Sequence, residues 1–134
     1  MNFYVSFRST THGHPRRASM WGHRTDNWTK LLAFQVKTSN KGGAAQITKE
    51  VGSGSPQLFS AYDNAAMFDE VVIEVTGPSQ SNPGAGEVVV ERITLTNAMI
   101  NSVWRYASVV PTTTGKLLED YGLLFQRYDR QAVL

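Results

Sequence analysis

The chain has 134 residues, 41% of them hydrophobic and 18% charged, a balance that excludes a disordered polymer and suits one domain burying about two-thirds of its unfolded surface. The absence of cysteine removes disulfides, thiolate metal sites and a thiol nucleophile. A net charge of +2 is too small an excess to argue for nucleic acid, despite an isoelectric point near 9.0.

Phe3-Tyr4-Val5-Ser6-Phe7-Arg8 opens the chain as a strand with Phe3, Val5 and Phe7 on one face. Ser9 to Asn27 follows as a polar loop that holds His12, His14 and His23 together with Arg16, Arg17 and Trp21. Trp28 to Lys37 reads as the second strand. Its alternation predicts Leu32, Phe34 and Val36 toward the core and Leu31, Ala33, Gln35 and Lys37 away from it. Thr38 to Gly43 is a turn, and Gln46 to Val51 alternates again as the third strand.

Gly52-Ser53-Gly54 breaks that pattern, and Ser55-Pro56 reads as the start of a helix, with Ser55 as N-cap and Pro56 at the first helical position. Leu58, Tyr62 and Ala65 recur at helical spacing. Phe68 to Val75 returns to strand chemistry. Gly77 to Gly86 is a hairpin connection, and Glu87 to Leu95 and Asn97 to Tyr106 are two further strands. After the Pro111–Gly115 loop, Leu117 to Tyr128 is the last strand, with Leu117, Tyr121, Leu123 and Phe125 inward and Glu119 interrupting that register. The reading is mainly β: residues 1–134 form a single domain, a small closed antiparallel β-barrel. One short α-helix, over about residues 55–66, lies between strands three and four. Several outward faces stay half apolar, such as Leu31 with Ala33, Val88 with Val90, and Met99 with Val103. Such faces need cover, which a partner subunit would supply.

His12, His14 and His23 are the one cluster that could hold a metal, but Asp26 is the sole carboxylate in their loop and Arg16 and Arg17 add repulsion. A solvated contact loop is the simpler account, so no metal or cofactor is expected. Gly52-Ser53-Gly54 lacks the frame of a nucleophile elbow. Asp69-Glu70 and Glu119-Asp120 are adjacent acids that alternate across a strand and cannot face one substrate together. No enzyme signature survives. Arg105 and Tyr106 beside Trp104, with Arg127, Tyr128 and Arg130, keep a monomeric ligand- or nucleic-acid-binding β-barrel open as the alternative. No apolar run approaches a membrane span, and Met1 to Val5 does not open a signal peptide.

Five local motifs occur in an ordered set: the Trp28-led strand ending Leu32-Ala33-Phe34; Ile47-Thr48-Lys49 before a Gly/Ser turn; Ser55-Pro56-Gln57-Leu58 opening the helix; Ile93-Thr94-Leu95 followed by Met99-Ile100-Asn101-Ser102-Val103; and Leu123-Leu124-Phe125 in the last strand. In that order they resemble the haemolysin-coregulated (Hcp) family, the tube proteins of bacterial type VI secretion systems, over residues 28 to 128. The resemblance implies a structural protein without catalytic residues, whose homohexameric rings stack into a hollow conduit that carries or chaperones effector proteins. Its partners would be copies of itself, a spike protein and a contractile sheath. It would sit in the cytoplasm of the producing bacterium and then be secreted without a cleaved signal peptide, with no membrane insertion and no nucleic acid. On that assembly Leu31, Ala33, Gln35 and Lys37 are expected to form a lumen or subunit surface. Arg16, Arg17 and Trp21 are expected to contact neighbouring subunits or rings.

Overall fold

The computed structural model describes residues 1–8, 28–40, 42–52, 55–78, 84, 86–107 and 115–132. In chain order its elements are β1 (Asn2–Arg8), β2 (Thr29–Leu31), β3 (Ala33–Ser39), β4 (Gly42–Glu50), α1 (Ser55–Asp63), β5 (Met67–Pro78), β6 (Glu87–Ala107) and β7 (Leu117–Ala132). All the strands join one antiparallel sheet in the order β2-β1-β5-β6-β7-β4-β3.

The ends of that order, β2 and β3, are consecutive in the chain and separated by Leu32 alone. Leu32 donates its N–H to the Thr48 carbonyl at 2.8 Å, which marks the point where the chain leaves β1 and joins β4. One strand therefore borders both edges, and the sheet curls into the barrel expected from alternation. The handover also breaks the alternation. Leu31 is buried at 2% exposure while Leu32 stands out at 38%, the reverse of the expected facing, and Phe34 and Val36 then resume the inward set.

The core is filled by Val5 and Phe7 of β1, Ile47 of β4, Phe68, Val71 and Ile73 of β5, Leu95 and Ile100 of β6, and Tyr121 and Leu123 of β7. Within each regular stretch, such as Val5 with Phe7 or Val71 with Ile73, side chains alternate between faces, while the odd spacings from Phe68 to Val71 and from Leu95 to Ile100 mark changes of phase. Leu58 and Ala61 of α1 join them, so the helix closes over the barrel interior. It stops at Asp63, short of the expected residue 66. Ala65 turns left-handed at φ 50°, Ala66 donates back to the Ala61 carbonyl and Ala65 to that of Tyr62, the paired bonds of a Schellman ending. The buried Ala61 and Ala66 supply the apolar contact that accompanies it.

Two expected strands are one. In place of a new strand opening at Asn97, β6 runs unbroken through it. Asn97 sits at φ 53° with the pairing to β5 and β7 in one register on either side of it, and its side-chain amide donates to Gln126 at 3.1 Å. Asn tolerates that backbone region better than most residues, so the strand passes through it without a turn.

Gly43 shows how closely β3 and β4 approach. A Cβ there would lie 2.1 Å from the Lys37 carbonyl oxygen and 2.8 Å from the Phe125 ring. Gly43→Ala is therefore expected to cost about 1–3 kcal/mol in urea unfolding. Gly52→Ala, whose Cβ would meet nothing nearer than 3.9 Å, should cost much less. Equal effects at the two positions would contradict the close approach.

Candidate functional site

The barrel presents two features beyond its core: an open outer wall and a buried polar cluster. Across the outer wall, strand pairing aligns Lys37 of β3, Ala44 of β4, Leu124 of β7, Met99 of β6 and Met67 of β5 in one row. Leu124 and Met67 are exposed. Gln35, Gln46, Gly122 and Ser102 form a neighbouring row, and Ala33, Thr48, Asp120 and Trp104 another. Trp104 is 70% exposed. The Thr48 and Tyr106 hydroxyls both donate to Asp120, at 2.6 and 3.1 Å, which fixes the polar part of that row.

Small residues make the wall concave. Ala44 and Gly122 floor a groove of about 300 Å³ whose sides include Gln35, Lys37, Gln46 and Asn101. At Gly122 a Cβ would fall 2.3 Å from the Ser102 hydroxyl, so any larger residue there would turn the Ser102 side chain aside. Register slips beside it between Ile100 and Ser102, and Asn101 is left over as the bulged residue.

The buried cluster lies where α1 meets the barrel. Glu119 is fully buried, and it continues the inward register of Tyr121, Leu123 and Phe125. The expected interruption falls instead at Leu117, which is exposed. One Glu119 oxygen, Oε1, accepts from Lys49 Nζ at 3.0 Å, Ser55 Oγ at 2.6 Å and the Tyr121 hydroxyl at 2.8 Å. The other, Oε2, accepts two bonds from the Arg105 guanidinium, at 3.2 and 2.7 Å. Lys49 also donates to the Ser55 hydroxyl and the Glu50 carbonyl. Burial pushes the Glu119 carboxyl toward protonation, but the donors from Ser55, Arg105, Tyr121 and Lys49 outweigh it and hold the group below the usual carboxylate range. Burial lowers Lys49, against the pull of Glu119. Burial and the Glu119 carboxylate raise the Tyr121 phenol. The arrangement suits a structural tie. Its donors fill both carboxylate oxygens, leaving no open position for a reacting group.

Ala33, Gln35 and Lys37 are exposed on the outer wall, and Gln35 and Lys37 border the groove. Leu31 does not belong with them, because the handover at Leu32 turns it into the core. Arg16, Arg17 and Trp21, with His12, His14 and His23, lie outside the described residues. Among the described residues no group of three His, Cys, Asp or Glu side chains could hold a metal ion, and no helix is long and apolar enough to cross a membrane. Sequence reasoning missed Glu119 and Lys49 as inward residues. Their alternation with Tyr121 and with Ile47 was the available signal.

A family model described as "Type VI secretion system effector, Hcp" matches residues 22–130. No curated protein matches the sequence. Among solved structures, secreted protein Hcp3 from Pseudomonas aeruginosa superposes with a TM-score of 0.71 at 14% identity, over 98% of this chain and 97% of its own. Hcp1 from E. coli EAEC 042 pathovar gives 0.69 at 16% identity, over 100% and 99%. The sheath-tube complex of an extracellular contractile injection system, PVC, in its extended state, gives 0.59 at 15% identity, over 98% and 88%. These likenesses establish a shared fold.

Proposed function

Because this chain belongs to the type VI secretion system Hcp family, we propose that it is a tube subunit whose copies close into hexameric rings and stack as a conduit for effector proteins. The observation that carries the reading is the outer wall. The exposed Met67 and Leu124 align across the sheet with the half-buried Met99 between them, Trp104 stands exposed two rows away, and a second copy would remove that surface from water.

Strand edges support the same reading. Among the described residues, β7 pairs with β4 only through Phe125, so Gln126 to Ala132 has β6 as its sole strand partner. β6 in turn pairs with β5 only up to Met99, so Ser102 to Ala107 has β7 alone. The two one-sided stretches lie at opposite ends of one hairpin and on its opposite sides. A contact from one stretch to the other on the next copy is head-to-tail, the geometry that closes a ring when the rotation allows. The spike, the sheath and export through the machine follow from the family and complete the proposal.

Light scattering and negative-stain imaging of the purified protein test it. Annular particles with a mass near six subunits are expected. A monomer at high concentration that binds DNA in a salt-dependent way would replace the proposal with the binding-barrel alternative.

A further inference from the structure

The outer wall makes no use of the buried cluster, which ties α1 to three strands through a single carboxylate. We propose that Glu119 is a latch. It holds α1 across the barrel end, and when its charge is lost α1 lifts away while the sheet stays folded.

The asymmetry of anchorage carries this. The sheet is held by continuous ladders, with β6 and β7 paired from Glu91–Ala132 to Ala107–Leu117. α1 has only nine residues, too few to persist as a helix without packing. Its buried side chains are Ser55, Leu58 and Ala61. Ser55 is the one that meets the carboxylate, and its hydroxyl also accepts the Gly52 N–H at 3.0 Å, so the bond that seats the helix fixes its entry as well. At the exit the chain already turns left-handed at Ala65. Phe59 lies over Arg105, its ring 4.9 Å from the guanidinium, and 6.2 Å from the Tyr121 ring. Two of the carboxylate's partners therefore also floor the helix.

The groups facing Glu119 are Lys49 from β4, Arg105 from β6, Tyr121 from β7 and Ser55 from α1. Beyond Lys49, the Glu50 side chain is paired with Lys116 at the surface. Loss of the Glu119 charge would leave the buried Lys49 without its counter-ion, and Lys49 could regain water only if α1 moved. The side chain of Arg105 is 45% exposed and already reaches solvent. The Glu119 carboxyl lies below its ordinary value of 4.5, so its stabilisation is present above that value and is lost as pH falls through the lower native one.

Hydrogen-exchange protection factors of the full chain test the latch. In Glu119→Gln, amides of Leu58 to Asp63 are expected to fall within about tenfold of free exchange while those of Val71 to Val75 stay protected about a hundredfold more strongly. In the unsubstituted chain the same selective loss should set in as pH drops below 4.5. Ser55→Ala keeps the ion pair and removes one donor. It should lower α1 protection by about tenfold and leave sheet opening the slower process, so it serves if Glu119→Gln does not fold. Helix and strand amides exchanging together at every pH, or α1 protection unchanged in either variant, would overturn the proposal.

Discussion

Leu31→Ala should destabilise the protein by about 2–5 kcal/mol, whereas Leu32→Ala should change stability by no more than about 0.5 kcal/mol. The two leucines are neighbours of identical chemistry, and strict alternation assigns them the opposite roles. Leu31 packs with Val5, Ile47 and the rest of the core, so truncation leaves a cavity that the surrounding strands cannot fully close. Leu32 sits at the handover between β1 and β4, and its structural contribution is the backbone bond to Thr48, which alanine keeps. Urea unfolding of the two variants measures the contrast. A larger loss at Leu32 would mean that the strand runs straight and that the two sheet edges are not joined there.

Leu124→Asp should keep the barrel folded and abolish self-association. Leu124 is exposed in the single chain and lies at the centre of the outer row, between Ala44 and Met99. A carboxylate there costs little while it faces water, but it would lose its hydration in a subunit contact with no cationic partner in its row nearer than Lys37. A weakening of assembly on the order of a hundredfold or more is expected, read by light scattering, with an unchanged far-ultraviolet spectrum and an unfolding midpoint close to the parent's. Intact rings would remove this row from the contact surface and leave the strand edges as the remaining support for the ring.

Much of this fold is legible in the sequence because long stretches of several strands alternate and the helix start is chemically marked by Ser55-Pro56. What alternation cannot reveal is where it fails. Leu32 changes partner strand and Asn97 takes a left-handed backbone inside a strand, and neither event leaves a Gly or Pro at the spot. The errors cancel in the count of strands: one expected strand becomes β2 and β3, while two expected strands become β6. The surface residues followed the same limit. Ala33, Gln35 and Lys37 lie past the handover and face outward as expected, while Leu31 lies before it. Glu119 was hidden for a different reason. An acid in an inward position reads as an interruption unless its counter-ions are known, and these come from residues 14 to 70 positions away in the chain.

The shared border strand has a mechanical consequence. Around most of the barrel's girth neighbouring strands are held by hydrogen bonds, which can give way in succession like the teeth of a zip. At the seam the two borders belong to one run of chain, so the barrel opens there only by stripping β2 from β1 or β3 from β4. The hoop is thus closed by covalent chain at its seam, and its resistance to opening there is set by the three-pair ladder of β1 with β2, the shorter of the two.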